Sequence, residues 1–492
     1  MGARTGAEYL ERLRTQPREV WLEGRRVDDV TEEPAFRESV MRIAELYDLQ
    51  HAPAHAEACL YESPTSGELV ATAFMVPRSH ADLVKRREAF AAFAQHTFGL
   101  MGRSQDFLNT TVMAFAEASD VFARGGERYG RNIVDYCEYV RENDLFLTHA
   151  LISPQIDRSK SSAEQHEKFL HLGVAEETAD GVIVQGARML ATLAPMADEI
   201  LIYNLPGLRP GDEDHAIAFA VPLGSPGLRI ICRQQYESGE SSSFDHPLAR
   251  AFEESDAIVV FDRVHVPWER MFVYRDVPLA NAMYGETNLR QHTAHQTNVR
   301  GLIKCQLVAG VAMALAQAVK IDSFLHVQQR LGEMIGQVEM IKSGIIRSEY
   351  EFETAPTGTV RCRFEPLQTL RTYLAAVYPQ MVESLQVIGA GGLMIVPSEA
   401  DFVGPVAEDV RRYFQGADGL AADDRARIFR LASDLTMSAF GSRLVQYERY
   451  YAGDPVRLVA GNYLSADKSE FEALTLRACE LAGMPGELRA GV

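Results

Sequence analysis

Up to about Leu147 the apolar residues recur three and four apart, as in residues 36–49 and 81–98, with few β-branched runs. That period predicts amphipathic helices. From about Leu151 the pattern shortens. Residues 174–178 and 182–184 flank Asp180–Gly181, which predicts a β-hairpin on a type I′ turn requiring positive φ. Further strands are expected at 215–222, 228–233 and 257–266, separated by Pro- and Gly-rich turns. Beyond Trp268 the helical period returns, notably over 307–321, 327–350 and 426–450. A block of strands between two helical stretches argues for an α+β fold, not an alternating βαβ sheet. The expected divisions are a helical domain 1–147, a β domain 148–270 and a helical bundle with tail 271–492.

Composition narrows the functions. The chain has 492 residues, 47% of them hydrophobic, and a formal net charge of -19. That balance disfavours nucleic acid, whose phosphates recruit stripes of Lys and Arg. Six scattered cysteines with no CxxC pair predict neither a disulfide framework nor a structural zinc. Residues 1–13 lack the apolar core of a secretory signal, and the longest mainly apolar run, 307–319, is too short to span a bilayer. A cytoplasmic protein without a membrane partner is expected. No GxGxxG follows a strand, so a Rossmann site is not predicted, and neither GxSxG nor a P-loop is present.

Several residues invite chemistry. Met101–Gly102–Arg103–Ser104 places an arginine after a glycine break, suited either to clamp an anion or to cap a helix. His149 and the run Ser153–Pro154–Gln155–Ile156–Asp157–Arg158 gather polar groups in a loop, a functional segment or a solvated surface. His292 and His295 would share a helix face, and His51 and His55 raise the same question. Neither pair has a carboxylate at a diagnostic spacing, so no metal site is expected. The glycines of Gly389–Ala390–Gly391–Gly392 follow an amphipathic helix and read as a helix stop or a close backbone approach. These residues alone give candidate sites near 103, 149–158 and 295, but no reaction.

The chain resembles the oxygenase-component family of 4-hydroxyphenylacetate 3-monooxygenase along nearly its whole length. The carriers are Thr5–Gly6–Ala7–Glu8–Tyr9–Leu10, Leu46–Tyr47–Asp48–Leu49–Gln50–His51, Met101–Gly102–Arg103–Ser104 and Thr148–His149–Ala150 with Pro154–Gln155. Gly186–Ala187–Arg188–Met189, Phe244–Asp245–His246–Pro247–Leu248, Val266–Pro267–Trp268–Glu269–Arg270 and Gly453–Asp454–Pro455–Val456–Arg457 continue the series. The resemblance implies an acyl-CoA dehydrogenase-like fold: N-terminal helices, a central β-barrel and a C-terminal helical bundle, assembled as a homotetramer. It also implies FAD, supplied as FADH2 by a separate NAD(P)H-flavin reductase. With O2 as co-substrate, a flavin C4a-hydroperoxide would then hydroxylate a phenol at the ortho position.

By the same resemblance Arg103, His149 and His295 form the catalytic set, with Arg103 on the phenolate and His295, then His149, as the base. Gln155, Ile156, Asp157, Arg158 and Thr192 would contact the flavin, Thr192 near its N5. Gln386, Gly389, Ala452, Gly453, Asp454 and Pro455 match further flavin-contacting stretches. Departures bear on the substrate. Where the family often has Tyr, this chain has Phe107, and Leu190 replaces a family threonine. Tyr203–Asn204–Leu205–Pro206 stands where relatives can show a Ser–Thr pair for the substrate carboxylate. The expected phenol is 4-hydroxyphenylacetate-like, chlorophenol-like or tyrosyl-type, and Leu205 and Pro206 favour a bulkier phenol, a halophenol or a carrier-tethered tyrosyl group over free 4-hydroxyphenylacetate. The alternative reading keeps the fold for a flavin dehydrogenase or a 4-hydroxybutyryl-CoA dehydratase-like enzyme. The dehydratase needs cluster-binding cysteines, yet Leu302 stands seven residues after His295.

Overall fold

The computed structural model describes residues 2–484. The N-terminal part is built on helices Gly6–Thr15, Arg37–Leu49, His80–His96, Gln105–Glu117 and Glu127–Glu142. Two of them start on reciprocal capping boxes, Thr5 with Glu8 and Ser79 with Asp82, which satisfy the first free N–H groups. Helix Gln105–Glu117 is buried along almost its whole length, so its polar side chains must find partners inside the protein.

The β layer consists of two open sheets, not the expected closed barrel. One is six-stranded, in the order Arg25–Val27, Glu19–Leu22, Leu228–Cys232, Asp256–Pro267, Gly181–Thr192, Gly173–Glu177. The other is four-stranded, in the order Met271–Tyr274, Ile217–Pro222, Glu199–Ile202, Leu147–His149. Closure would require the outer strands of a sheet to pair with each other, and here they do not. The sheets meet through their apolar faces, where Phe219 and Phe261 lie edge to face at 5.9 Å. Strands Glu19–Leu22, Arg25–Val27 and Met271–Tyr274 come from outside 148–270, so the β layer is not confined to that stretch.

The hairpin expected at Asp180–Gly181 forms between Gly173–Glu177 and Gly181–Thr192, without a type I′ turn. Neither residue has positive φ. Gly181 is already paired with Pro267, and its glycine is required by proximity: a Cβ would sit 2.2 Å from the Val266 carbonyl oxygen. Strand Gly181–Thr192 alternates cleanly until Leu190. That residue is left unpaired in a bulge with φ 62°, its side chain 53% exposed.

The C-terminal bundle comprises Leu289–Ala318, Leu325–Tyr350, Phe364–Gly389, Ala422–Thr436 and Ala439–Tyr450. Helix Leu289–Ala318 begins well before the predicted 307, because its first half is polar yet buried. It is long and apolar enough to cross a membrane, but 61% of its most apolar window is covered by protein, which marks it as the bundle's core. The helix expected over 426–450 is broken at Met437–Ser438, and Ser438 caps the second piece through Gly441 N at 2.9 Å.

Candidate active site

Arg103 lies between the end of one helix and the start of Gln105–Glu117. The preceding Gly102 leaves room for Tyr447, since a Cβ there would lie 2.2 Å from the Tyr447 hydroxyl and displace that ring. Glu254 fixes the turn by accepting the backbone N–H groups of Gly102 (2.7 Å) and Arg103 (3.0 Å). The Arg103 guanidinium is 9% exposed and stacks over Phe107, 4.3 Å from its centroid. Its Nη1 donates to the Tyr447 hydroxyl and to the Gly102 carbonyl at 3.1 Å. Among the described residues no carboxylate pairs with this guanidinium. A buried cation without an anion is costly, and the arrangement calls for an anionic ligand.

His149 closes the same space from strand Leu147–His149. Its ring meets Phe107 edge-on at 5.7 Å, and its Nδ1 lies 3.1 Å from the Tyr203 hydroxyl. Burial, reinforced by the Arg103 charge, holds its pKa well below the usual imidazole value, so the ring is neutral at neutral pH. Leu205 and Pro206 follow Tyr203 in a surface loop that Asn281 pins through the N–H groups of Gly207 and Leu208.

A second cluster lies at the end of strand Gly181–Thr192. The Thr192 hydroxyl donates to Asp256 Oδ1 at 2.9 Å. Asp256 also receives both Nε and Nη2 of Arg443 at 2.8 Å, and Arg233 Nε at 3.2 Å. Despite burial, which opposes ionisation, Arg443 and its neighbours bring the Asp256 pKa down to about 2. The third nitrogen of Arg443 bonds Glu254 Oε2 at 3.0 Å. One guanidinium thus holds both carboxylates, and through them both Thr192 and the Arg103 backbone.

A flavin ring needs apolar surface and a fixed polar group; Leu190, two residues before the Thr192 hydroxyl, and Ile156 are exposed apolar residues, at 53% and 47%. Gln155 and Arg158 point from an exposed loop that His171 (Nε2 to Pro154 O, 2.9 Å) and Gln165 (Nε2 to Asp157 O, 3.0 Å) hold in place. Asp157 accepts Ser159 N–H at 3.1 Å within that loop.

Other expected positions lie apart from these clusters. His295 is 2% exposed, bonds Glu349 at 2.8 Å and packs against Phe90. Burial works against its charge, but Cys362 and Glu349 beside it prevail and raise its pKa to about 9. Among the described residues no hydrogen bond, ion pair or ring contact joins His295 to Arg103 or His149. His292 instead pairs with Glu117 at 3.1 Å, so the two histidines serve different contacts. Gln386 is exposed, donates to Thr436 O at 2.9 Å and lines a groove of about 710 Å³ with Gln380 and Arg449. Gly389 and Gly392 are packing glycines: a Cβ would meet Leu393 at 2.5 Å and Phe429 at 2.6 Å. Ala452 accepts Arg371, while Asp454 and Pro455 start the helix Pro455–Ser465 behind Gly453, whose φ is 122°.

Sequence reasoning missed Tyr447, Glu254, Asp256 and Arg443. The acidic run Glu253–Glu254–Ser255–Asp256 at the mouth of an apolar strand was the available signal, because charges there must be paired.

Comparison with known proteins identifies the family. Residues 5–273 match the family model "4-hydroxyphenylacetate 3-hydroxylase N terminal" and residues 280–480 the corresponding C-terminal model. The oxygenase component of 4-hydroxyphenylacetate 3-monooxygenase from Geobacillus sp. is 41% identical over 96% of this chain and 95% of its own. The crystal structure of the oxygenase component HpaB, complexed with FAD and 4-hydroxyphenylacetate, superposes with a TM-score of 0.92. It is 39% identical, over 98% of this chain and 99% of that one. A Streptomyces globisporus monooxygenase of a carrier-protein-bound 3-chloro-4-hydroxyphenyl propanoyl group is 32% identical, over 92% of this chain and 85% of its own. These matches disfavour the flavin dehydrogenase and dehydratase alternative. The chain belongs to the 4-hydroxyphenylacetate 3-hydroxylase family, as the oxygenase component of a two-component, FAD-using phenol monooxygenase.

Proposed function

We propose that the chain hydroxylates, next to its hydroxyl, a phenol held as the phenolate against Arg103, with His149 and Phe107 as the other walls. The supporting observation is the buried Arg103 guanidinium that no carboxylate among the described residues neutralises. Reduced FAD from a separate reductase supplies the two electrons and activates O2. One oxygen atom enters the ring and the other leaves as water. Loop Gln155–Arg158 and Thr192 hold the ring; Gln386, Gly389 and Ala452–Pro455 serve the rest of the cofactor from a neighbouring copy. Arg103 lowers the phenol's pKa, and the ionised ring is the better nucleophile at its ortho carbon.

Leu205 and Pro206 offer no hydrogen-bonding group to a small carboxylate. Pro206 is exposed, which supports a phenol whose para substituent reaches outward, halogenated or carrier-tethered like the Streptomyces substrate. Exposed Leu325 (81%), Met394 (79%), Val403 (80%) and Phe471 (69%) support a homotetramer joined through the bundle. Six free cysteines accord with a cytoplasmic location.

The test supplies FADH2 and isotopically labelled O2 to the protein with free and carrier-bound phenols. Label in an ortho-dihydroxy product is expected. Absence of label across the whole panel would refute the proposal.

A further inference from the structure

The protonation of His149 follows from its neighbours. Tyr203, at the end of strand Glu199–Ile202, is 1% exposed, and burial keeps its hydroxyl protonated. Among the described residues that hydroxyl has one hydrogen-bond partner, His149 Nδ1 at 3.1 Å. A buried hydroxyl donates its proton where an acceptor exists, so Nδ1 accepts and the ring's own proton sits on Nε2. Among the described residues Nε2 makes no hydrogen bond. Around the ring stand the Arg103 guanidinium, Phe107 of helix Gln105–Glu117 and Tyr203, with Tyr284 of helix Val277–Glu286 behind it. On the far side of Arg103 lies Tyr447 of helix Ala439–Tyr450. No carboxylate among the described residues faces the imidazole, and His295 is engaged with Glu349.

We propose that His149 is a hydrogen-bond donor and not a base: its Nε2–H and the Arg103 guanidinium together hold the substrate as its phenolate. The phenol's proton passes to solvent on binding, and Tyr203 is the positioning residue that fixes the tautomer. This rests on the reading that the phenol binds at Arg103.

The test uses the full chain loaded with oxidised FAD, so that nothing turns over, and 4-nitrophenol, which is yellow only as the phenolate. The wild type lowers the pKa of the bound probe by about one to three units. His149→Gln places an amide N–H near the Nε2 position and cannot take a proton. It keeps most of that shift and loses less than about tenfold in kcat/KM, whereas His149→Ala loses both, by about a hundredfold in kcat/KM. Tyr203→Phe reduces the shift, and nitrogen NMR of labelled histidine shows the His149 tautomers mixed. If His149→Gln is as impaired as His149→Ala while the probe's pKa stays low, His149 is the base and the proposal falls. If the probe does not bind, or binds equally well to Arg103→Ala, the phenolate site itself is misplaced and the proposal falls with it.

Discussion

Arg103 and Thr192 present opposite faces of one electrostatic design. Arg103 is a buried cation left open for an anion, and Thr192 is a hydroxyl whose proton is already committed to Asp256. Arg103→Lys keeps the charge but loses the planar fork over Phe107, so kcat/KM for phenols should fall about tenfold to a hundredfold with FAD affinity unchanged. Steady-state kinetics beside a flavin titration will check it. His295 gives a pH-dependent outcome. Its folded pKa is raised to about 9, so its contribution to stability is complete below about pH 6.5 and is lost as pH rises through 9. Thermal melts from pH 6 to 10 should show the wild type losing more Tm over that window than His295→Asn. Arg103, His149 and the loop Gln155–Arg158 were legible as candidates in the sequence because each sits in a short local motif. Tyr447, Glu254 and Arg443 were not, because their partners lie far away in the chain and only tertiary packing joins them. Three-residue spacing put His292 and His295 on one helix, but could not show that Glu117 and Glu349 would take them to different neighbours.

At the scale of elements, periodicity recovered most helices and the central strands, while their ends and turns depended on contacts it cannot see. Gly181 is a glycine because Val266 lies against it, not because of a turn type. Several fragments that carry the family likeness are architectural. Gly6 N–H donates to Asp48 at 2.8 Å and Tyr9 stacks on Tyr47, which docks the first two helices on each other. Phe244–Leu248 ends where Asp434 accepts the Leu248 and Ala249 N–H groups. The break at Ser438 has functional weight, since the helix it starts carries Arg443 and Tyr447. Ser438→Ala removes the cap and should cost about 1 kcal/mol of stability, measured by denaturant unfolding. It should also raise KM for the phenol, as Tyr447 loses its hold on Arg103.

Across the whole molecule, charges deep in the bundle tie its parts together. Glu448 Oε1 receives Arg300 Nη1 and Lys304 Nζ, each at 2.8 Å, and Arg300 also reaches the Gly99 carbonyl at 3.0 Å. Glu448→Gln would leave two buried cations without their anion, an expected loss of about 3–5 kcal/mol by denaturant unfolding. The exposed apolar residues of the bundle and the last helices predict a concentration-dependent tetramer, and light scattering on the purified chain will read its mass. Arg443 adds a consequence for biosynthesis. Arg103 and Thr192 emerge from the ribosome long before the helix that joins them, so a partly made chain has these residues but not their alignment. Premature termination upstream of Ala439 would therefore give a product in which Arg233 and Thr192 can still reach Asp256 but no guanidinium ties Asp256 to Glu254.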